Sequence, residues 1–469
     1  MKLIRSFLAA LALVAAAPAS AQGWDAKPWL EDLAQMRAAL QEKYANLDWL
    51  TEERGFPLDR GFAQVEAMLA KAGSDAEARA LFERVVRRIG DGHVDLIWPK
   101  AAAPGGGGTA GPRAASCEAL GYDGRQVRPG TAVAIEGYRA LEGTAFPAGM
   151  IGDVGVVRIG VFDPHGYPAL CRAALAASSL PADKPCDDAC EDVVLTATYR
   201  AMTEGLATTL ARLRAEGATA LLVDISDNGG GSEWAEAAAR MLTPRTLVSA
   251  RMGFMRGEHW VKQWNGLASR LRDFAKSASK ADRARLLGWA AEAEAAAKEA
   301  ATPCDPATGC ARLGRAGFAT GLVGDAPAGA FAGKDWGVYV FSPAQYAYQP
   351  GAWDGPLVVL TDNETWSAAE EFAAMLRDND AAVLLGARTG GAGCGHTWGG
   401  TPTTLKHSGA VLEVPDCVRF RKDGSNEVRG VIPDVVTGVR ASDGAKFRAA
   451  LTAAKLGEAV ALAKARYRH

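Results

Sequence analysis

Apolar positions change their spacing from one region of the chain to the next, and that spacing predicts the elements. From residue 24 to about residue 89, Leu30, Leu33, Met36, Leu40 and Tyr44 share one helical face, and Leu81, Val85 and Ile89 share another, which predicts a small helical unit. Residues 101–108 read Ala-Ala-Ala-Pro-Gly-Gly-Gly-Gly, the composition of a linker or surface loop. Beyond them 154–159 reads as a strand, 193–214 as a helix, 220–225 as a buried strand and 233–241 as a second helix. An insertion rich in Ala, Lys, Arg and Glu occupies 251–336, with long helical patterning around 267–298; it caps a cleft or merely elaborates the surface. The core resumes with 337–341, 357–361 and a helix carrying Ala368, Phe372, Met375 and Leu376 on one face, then a strand at 382–386. Alternating strands and helices predict an α/β core, and no repeat of solenoid period is present.

Composition narrows this picture. The chain of 469 residues is 48% hydrophobic, enough for a sizeable core. Its first residues, Met1-Lys-Leu-Ile-Arg5, precede an apolar run to Ala17 and then Ala19-Ser-Ala21, which predicts a secretory leader over 1–21 with cleavage before Gln22. That run is too short to span a bilayer, and a soluble periplasmic or secreted protein without a membrane span is expected. Lys2 and Arg5 fall in the leader, so the remainder carries a net charge of about −4 and no basic cluster for nucleic acid.

Eight cysteines in an exported chain favour disulfides over metal. Close spacing suggests Cys186–Cys190 and Cys304–Cys310, leaving Cys117–Cys171 and Cys394–Cys417, although spacing alone does not determine connectivity. Neither short cysteine pair has a nearby histidine pair, so no metal and no cofactor is expected.

Candidate chemistry centres on Ser367. The apolar run 356–360 ends in a turn with Asp362, Asn363 and Thr365, and Ser367 stands in the first turn of the following helix. Helix N-caps favour serine, so this segment by itself allows either a cap or a nucleophile beside unpaired N–H groups. A serine nucleophile needs a base, and His93, in the turn-rich Gly90-Asp-Gly-His-Val-Asp-Leu96, is placed as a base or as a turn-capping histidine. Gly229-Gly230-Gly231, after a buried strand, offers unobstructed N–H groups to an oxyanion, or simply a tight turn. It lacks the spacing and lysine of a phosphate loop.

Five segments then add up to a resemblance. Gly90-Asp-Gly-His-Val94, Leu222-Val-Asp-Ile-Ser-Asp-Asn-Gly-Gly-Gly231, Leu360-Thr-Asp-Asn-Glu-Thr-Trp-Ser-Ala-Ala-Glu370, Leu385-Gly-Ala-Arg-Thr-Gly-Gly391 and Glu427-Val-Arg-Gly-Val-Ile-Pro-Asp434 resemble, in order, the signature blocks of the S41 peptidases, the tail-specific or C-terminal processing protease family. The resemblance runs from about residue 24 to about 440. It implies an α/β core of the ClpP/crotonase type, built from strand-strand-helix units, and a serine peptidase acting on peptides or proteins.

Ala392 stands where the processing branch has its lysine base, so a Ser-Lys dyad is absent. The chain is similar instead to the tricorn-core and retinoid-binding-repeat branch. That likeness implies Ser367 as nucleophile, His93 as base and Glu427 as the carboxylate that orients it. It also implies Gly230 and Ala368 as oxyanion donors, with Gly229, Gly231 and His396 beside the substrate. Two departures stand out: no PDZ domain fits between His93 and Val154, and Ser226 occupies a position commonly held by arginine. The organisation expected is therefore a leader (1–21), a helical N-terminal domain (22–100), a connecting segment (101–150), a protease core (151–250 and 337–440) split by the insertion (251–336), and a C-terminal helix (441–469). A ligand-binding protein without proteolysis, or an acyl-CoA enzyme, would use the same fold. The leader disfavours the second, and the filled triad positions disfavour the first.

Overall fold

The computed structural model describes residues 24–100, 113–114, 116–178, 185–304, 311–327, 329–397 and 400–468; the expected leader, the linker at 101–108 and Cys310 lie outside them. A seven-stranded sheet organises the molecule, in the spatial order Val435–Val436, Val383–Gly386, Leu357–Thr361, Ala220–Asp224, Val154–Arg158, Ala148–Ile151 and Tyr138–Leu141. The first five run parallel and the last two are antiparallel. The parallel strands are apolar without alternation because both faces are covered. Val157, Leu221, Val223, Val359 and Leu384 pack under Trp234–Met241 and Ala368–Asp378, together with Met202, Leu206 and Leu210 of the long helix Asp188–Ala215. Val156, Leu222, Val358, Leu360, Val383 and Leu385 face the C-terminal helix Ala445–Tyr467 through Ala449, Leu456, Ala459 and Val460.

The helices Lys27–Lys43, Leu58–Leu69 and Asp75–Ile89 form the expected N-terminal unit. The third starts where the Ser74 side chain accepts from Glu77 N and ends at Gly90, which adopts the left-handed conformation that closes many helices. Their core is shared, however: Met36, Leu40, Phe82 and Ile89 pack with Leu412, Val414 and Val428. Buried Asp32 accepts from the backbone amides of His407 and Ser408. The loop carrying His93 is thereby fixed against the second half of the protease core.

The insertion is an antiparallel pair of helices, Glu258–Ser277 and Lys280–Ala301, meeting through Ala268, Leu271, Ala275, Leu286, Ala290 and Ala293. Its base is a sheet in which Arg251–Met255 pairs with both Leu313–Phe318 and Cys417–Phe420. Residues 337–341 belong here rather than to the core sheet: Gly337–Val340 is a single helical turn, and Val340 and Phe341 are buried among the insertion's aromatic rings. Residues 138–151, expected as part of a connecting segment, instead supply the antiparallel edge of the central sheet. Disulfides join Cys117 to Cys171, Cys186 to Cys190 and Cys394 to Cys417, and Cys304 is also disulfide-bonded.

Candidate active site

Strand Leu357–Thr361 ends in a turn tied on every side. Asp362 Oδ1 accepts from the amides of Glu364 and Asp227 at 3.0 and 2.9 Å, and the Thr365 hydroxyl donates to Ile225 O at 3.1 Å. Trp366 N donates to Asn228 O at 3.0 Å. The serine turn and the glycine turn are in this way one unit. Ser367 emerges from it with φ 56° and ψ −120° as the residue preceding helix Ala368–Asp378. A non-glycine residue there is strained, at a cost of order 1–3 kcal/mol, and such strain is characteristic of sites where geometry matters more than stability. Its side chain makes no capping bond, so the cap reading of this serine is not realised.

His93 Nε2 lies 3.0 Å from Ser367 Oγ, and His93 Nδ1 lies 2.9 Å from Ala392 O. A carbonyl oxygen can only accept, so Nδ1 carries the proton and Nε2 is left to accept from the serine hydroxyl. Gly395 covers the imidazole: a Cβ there would sit 3.1 Å from His93 Cδ2, which is why this loop position holds glycine. Burial above all, opposed by the bond to Ala392 O and helped by the charges of Arg419 and His396, brings His93 down to about 4. The imidazole is therefore neutral, and able to take a proton, through neutral pH. The His93 loop is held in turn by buried Asp91, which accepts from His93 N, Tyr44 Oη and Asn46 Nδ2.

Glu427 is not bonded to this imidazole. It is buried, and its carboxylate pairs with the Arg419 guanidinium at 2.7 to 3.2 Å. Arg419 also donates to Glu371 Oε2 at 2.9 Å, to Ser367 O at 3.0 Å and to Gly393 O at 2.8 Å. One buried guanidinium thus joins the Ser367 carbonyl to the loop that carries the Ala392 oxygen. The sequence offered little sign of it, because Cys417–Phe420 is a short strand in which a charged residue would ordinarily face water.

Glu370 was more accessible to reasoning, lying one helical turn after Ser367. Its carboxylate accepts from Thr389 Oγ1 and from the amides of Gly391, Ala392 and Gly393. Burial and the charge of Glu427 push it up to about 7, against these four donors, which favour the anion.

Of the expected oxyanion donors, the Ala368 amide has no acceptor among the described residues, whereas Gly230 N donates to Asn228 Oδ1 at 2.8 Å. Gly230 is nonetheless pressed against Ser367, since a Cβ on it would lie 2.7 Å from Ser367 Cβ and 3.0 Å from Ala368 N. Gly229 faces open space. Gly231 bridges Phe162 in parallel, so its backbone edge is already occupied on that side. The His396 ring centroid is 6.4 Å from that of His93, and its Nδ1 is 3.8 Å from Glu413 Oε2.

At Ser226 the structure explains the missing arginine. Ser226 Oγ donates to Asp224 Oδ1 at 2.7 Å, and a buried guanidinium comes from the neighbouring strand instead, Arg158 reaching Asp224 O at 3.0 Å.

With this geometry in place, the sequence model of peptidase family S41 matches residues 192–437, more than half of the chain. The chain belongs to peptidase family S41. It is a serine-type peptidase, and its substrates are peptides or proteins. No curated protein sequence matches it. Among solved structures the S41 chain resembles mature CPAF, with 15% identity and a TM-score of 0.60 over 94% of this chain and 98% of that one. Mature CPAF complexed with lactacystin is matched similarly, at 15% identity and TM-score 0.59 over 94% and 99%. At that identity the likeness speaks for the fold alone. Among the described residues no group of His, Cys, Asp and Glu is arranged to hold a metal, and no helix is long and apolar enough to cross a membrane.

Proposed function

We propose that this S41 peptidase cleaves peptide bonds through an acyl-enzyme on Ser367, with His93 as general base and then general acid. The observation that carries this reading is the 3.0 Å contact between a neutral, correctly protonated His93 and a serine held in a strained turn at a helix N-terminus. Ser367 Oγ attacks the substrate carbonyl carbon while Nε2 takes the hydroxyl proton. The tetrahedral oxyanion lies against the Ala368 amide, and Gly230 N joins it by sharing or exchanging its bond to Asn228 Oδ1. Collapse breaks the C–N bond, and the amine leaves with the proton from His93. Water then repeats the sequence and releases the acid. Glu427 serves this chemistry through Arg419 as a positioning residue, and Ala392 O holds the imidazole tautomer.

The parallel sheet and the open backbone at Gly229 support a substrate that adds in extended form near Ser367, with His396 beside it. We also propose export: the leader-like residues 1–21 and the disulfides support a periplasmic or secreted enzyme. The test is Ser367→Ala in the purified chain, which is expected to abolish both turnover of a peptide library and labelling by a serine-directed fluorophosphonate. Survival of either would overturn the assignment.

A further inference from the structure

Asp416 stands where three parts of the chain meet beside the His93 loop. It is buried, in the segment between strands Val411–Glu413 and Cys417–Phe420. Its backbone N–H donates to Gly395 O at 3.2 Å, and its Oδ1 accepts from Thr397 N at 3.0 Å. Its carbonyl accepts from Met255 N at 2.9 Å and from Trp260 Nε1 at 3.0 Å, two groups at the base of the insertion. The residue before it is anchored as well, Pro415 O accepting from Ala45 N of the N-terminal unit at 2.8 Å.

The insertion also supplies a side chain. His259, in the first turn of helix Glu258–Ser277, places Nε2 2.9 Å from Thr397 O and 3.2 Å from Asp416 Oδ2. A carbonyl only accepts, so Nε2 carries a proton and donates it there. Asp416 Oδ2 is left buried without a hydrogen bond among the described residues, with this imidazole beside it. A carboxylate so placed is costly where a neutral side chain would fill the space. What it provides in return is a grip on the Thr397 amide from one side while His259 holds the Thr397 carbonyl from the other.

The segment held in this way reaches the chemistry. Gly395 and Thr397 flank His396, and Gly395 lies against the imidazole of His93: a Cβ on it would be 3.1 Å from Cδ2 and 3.2 Å from Nε2, the nitrogen that faces Ser367. Ala392, whose carbonyl meets His93 Nδ1, belongs to the same loop. Disulfide Cys394–Cys417 limits how far that loop can travel, but the side-chain torsions of each half-cystine allow alternative rotamers, so the bridge alone does not orient the peptide units next to it. Asp416 binds the loop on both sides of His396 at once, which does.

We infer that Asp416 is a positioning residue for His93, acting through residues 395–397, and that the insertion takes part in the reaction by holding Asp416 through Met255, His259 and Trp260. The inference rests on the peptidase reading for its place in the reaction, but the state of His93 can be read without cleavage. In the full-length protein, Asp416→Ala is expected to lower kcat on the order of tenfold while KM changes by less than about twofold, because it loosens the base rather than the contact with substrate. In the Ser367→Ala background, histidine Cε1–H NMR with and without Asp416→Ala is expected to show His93 titrating closer to the ordinary value of about 6.5 once water reaches the ring. Arg419, His396 and Asp91, the charged groups that face His93, are unchanged in that comparison. Asp416→Asn, whose side-chain oxygen still accepts from Thr397 N, is expected to restore most of both readouts. An aspartate that only stabilises the fold would lower the melting temperature and leave kcat and the His93 titration of the folded protein at their wild-type values, and that result overturns the inference. Should Asp416→Ala fail to fold, His259→Leu is expected to move the same two readouts in the same direction by a smaller amount, and wild-type values for it overturn the inference equally. A shifted His93 titration in a chain whose wild type cleaves no peptide leaves the positioning in place and removes the peptidase reading, whereas cleavage with an unshifted His93 does the reverse.

Discussion

At the scale of single residues, the site is a set of charges whose protonation is set by burial. On the proposed mechanism His93, pushed down to about 4, ceases to act as base only when it is protonated, so the acid limb of kcat/KM is expected near pH 4 rather than near the ordinary histidine value of about 6.5. A pH–rate profile with a neutral peptide checks this. The same shift bears on stability. The unfolded chain protonates His93 at about 6.5 and the folded chain only at about 4, so the contribution of the neutral imidazole is complete above that window and is lost as pH falls through it. Asp91 and Glu370, pushed up to about 6 and about 7, work the other way, taking up protons in the folded state first and favouring it as pH falls toward 4. Over that range the two carboxyl contributions outweigh the histidine one, so activity is expected to fall near pH 4 while the melting temperature rises modestly as pH falls from 7 to 5, a comparison that calorimetry makes directly. Arg419 is the other sensitive residue: Arg419→Met leaves Glu427 and Glu371 buried without their partner and is expected to cost about 3–5 kcal/mol, read as a lowered denaturation midpoint.

At the scale of elements, the Glu370 clamp explains how a glycine-rich loop can present a single carbonyl to His93. Glu370→Gln would turn an amide N–H toward donors that need acceptors. It is expected to lower kcat/KM by roughly 10²-fold, with a smaller effect on KM, because it loosens the orientation of the base rather than the contact with substrate. Single-turnover kinetics separates the two. On the opposite face of the sheet, Leu456→Ala in the C-terminal helix is expected to cost about 2–5 kcal/mol, visible in urea titration.

These elements also show what the sequence could say. The strands 220–225 and 357–361, the long helices and the serine turn were legible because apolar spacing and turn residues are local properties. So were the separate placements of Ser367 and His93. The short helical turn at Gly337–Val340 was not, because an apolar run of that length fits a strand, a helix or a loop equally well. Nor was the pairing of Glu427 with Arg419, since a charge in a short strand does not announce a buried partner eight residues on. Ala392 was informative only as a missing lysine, although its backbone oxygen, which every residue type possesses, is what touches the imidazole.

At the scale of the whole molecule, the N-terminal helices and the residues around 405–428 share one core, and the insertion is rooted on the strand that carries Arg419. Disulfide Cys394–Cys417 ties the His396 loop to that same strand, so this loop and the insertion are fixed to a common base. His93 and Ser367 are 274 positions apart, and neither has any chemistry without the other. Contacts of such separation form only after the loop between them has closed and the intervening sheet has condensed. During synthesis the histidine loop therefore waits for nearly the whole core before it meets its serine, and a partly made chain holds no competent protease. On dilution from denaturant, hydrolysis should accordingly return later than far-ultraviolet ellipticity: the chain becomes safe to assemble before it becomes able to cut.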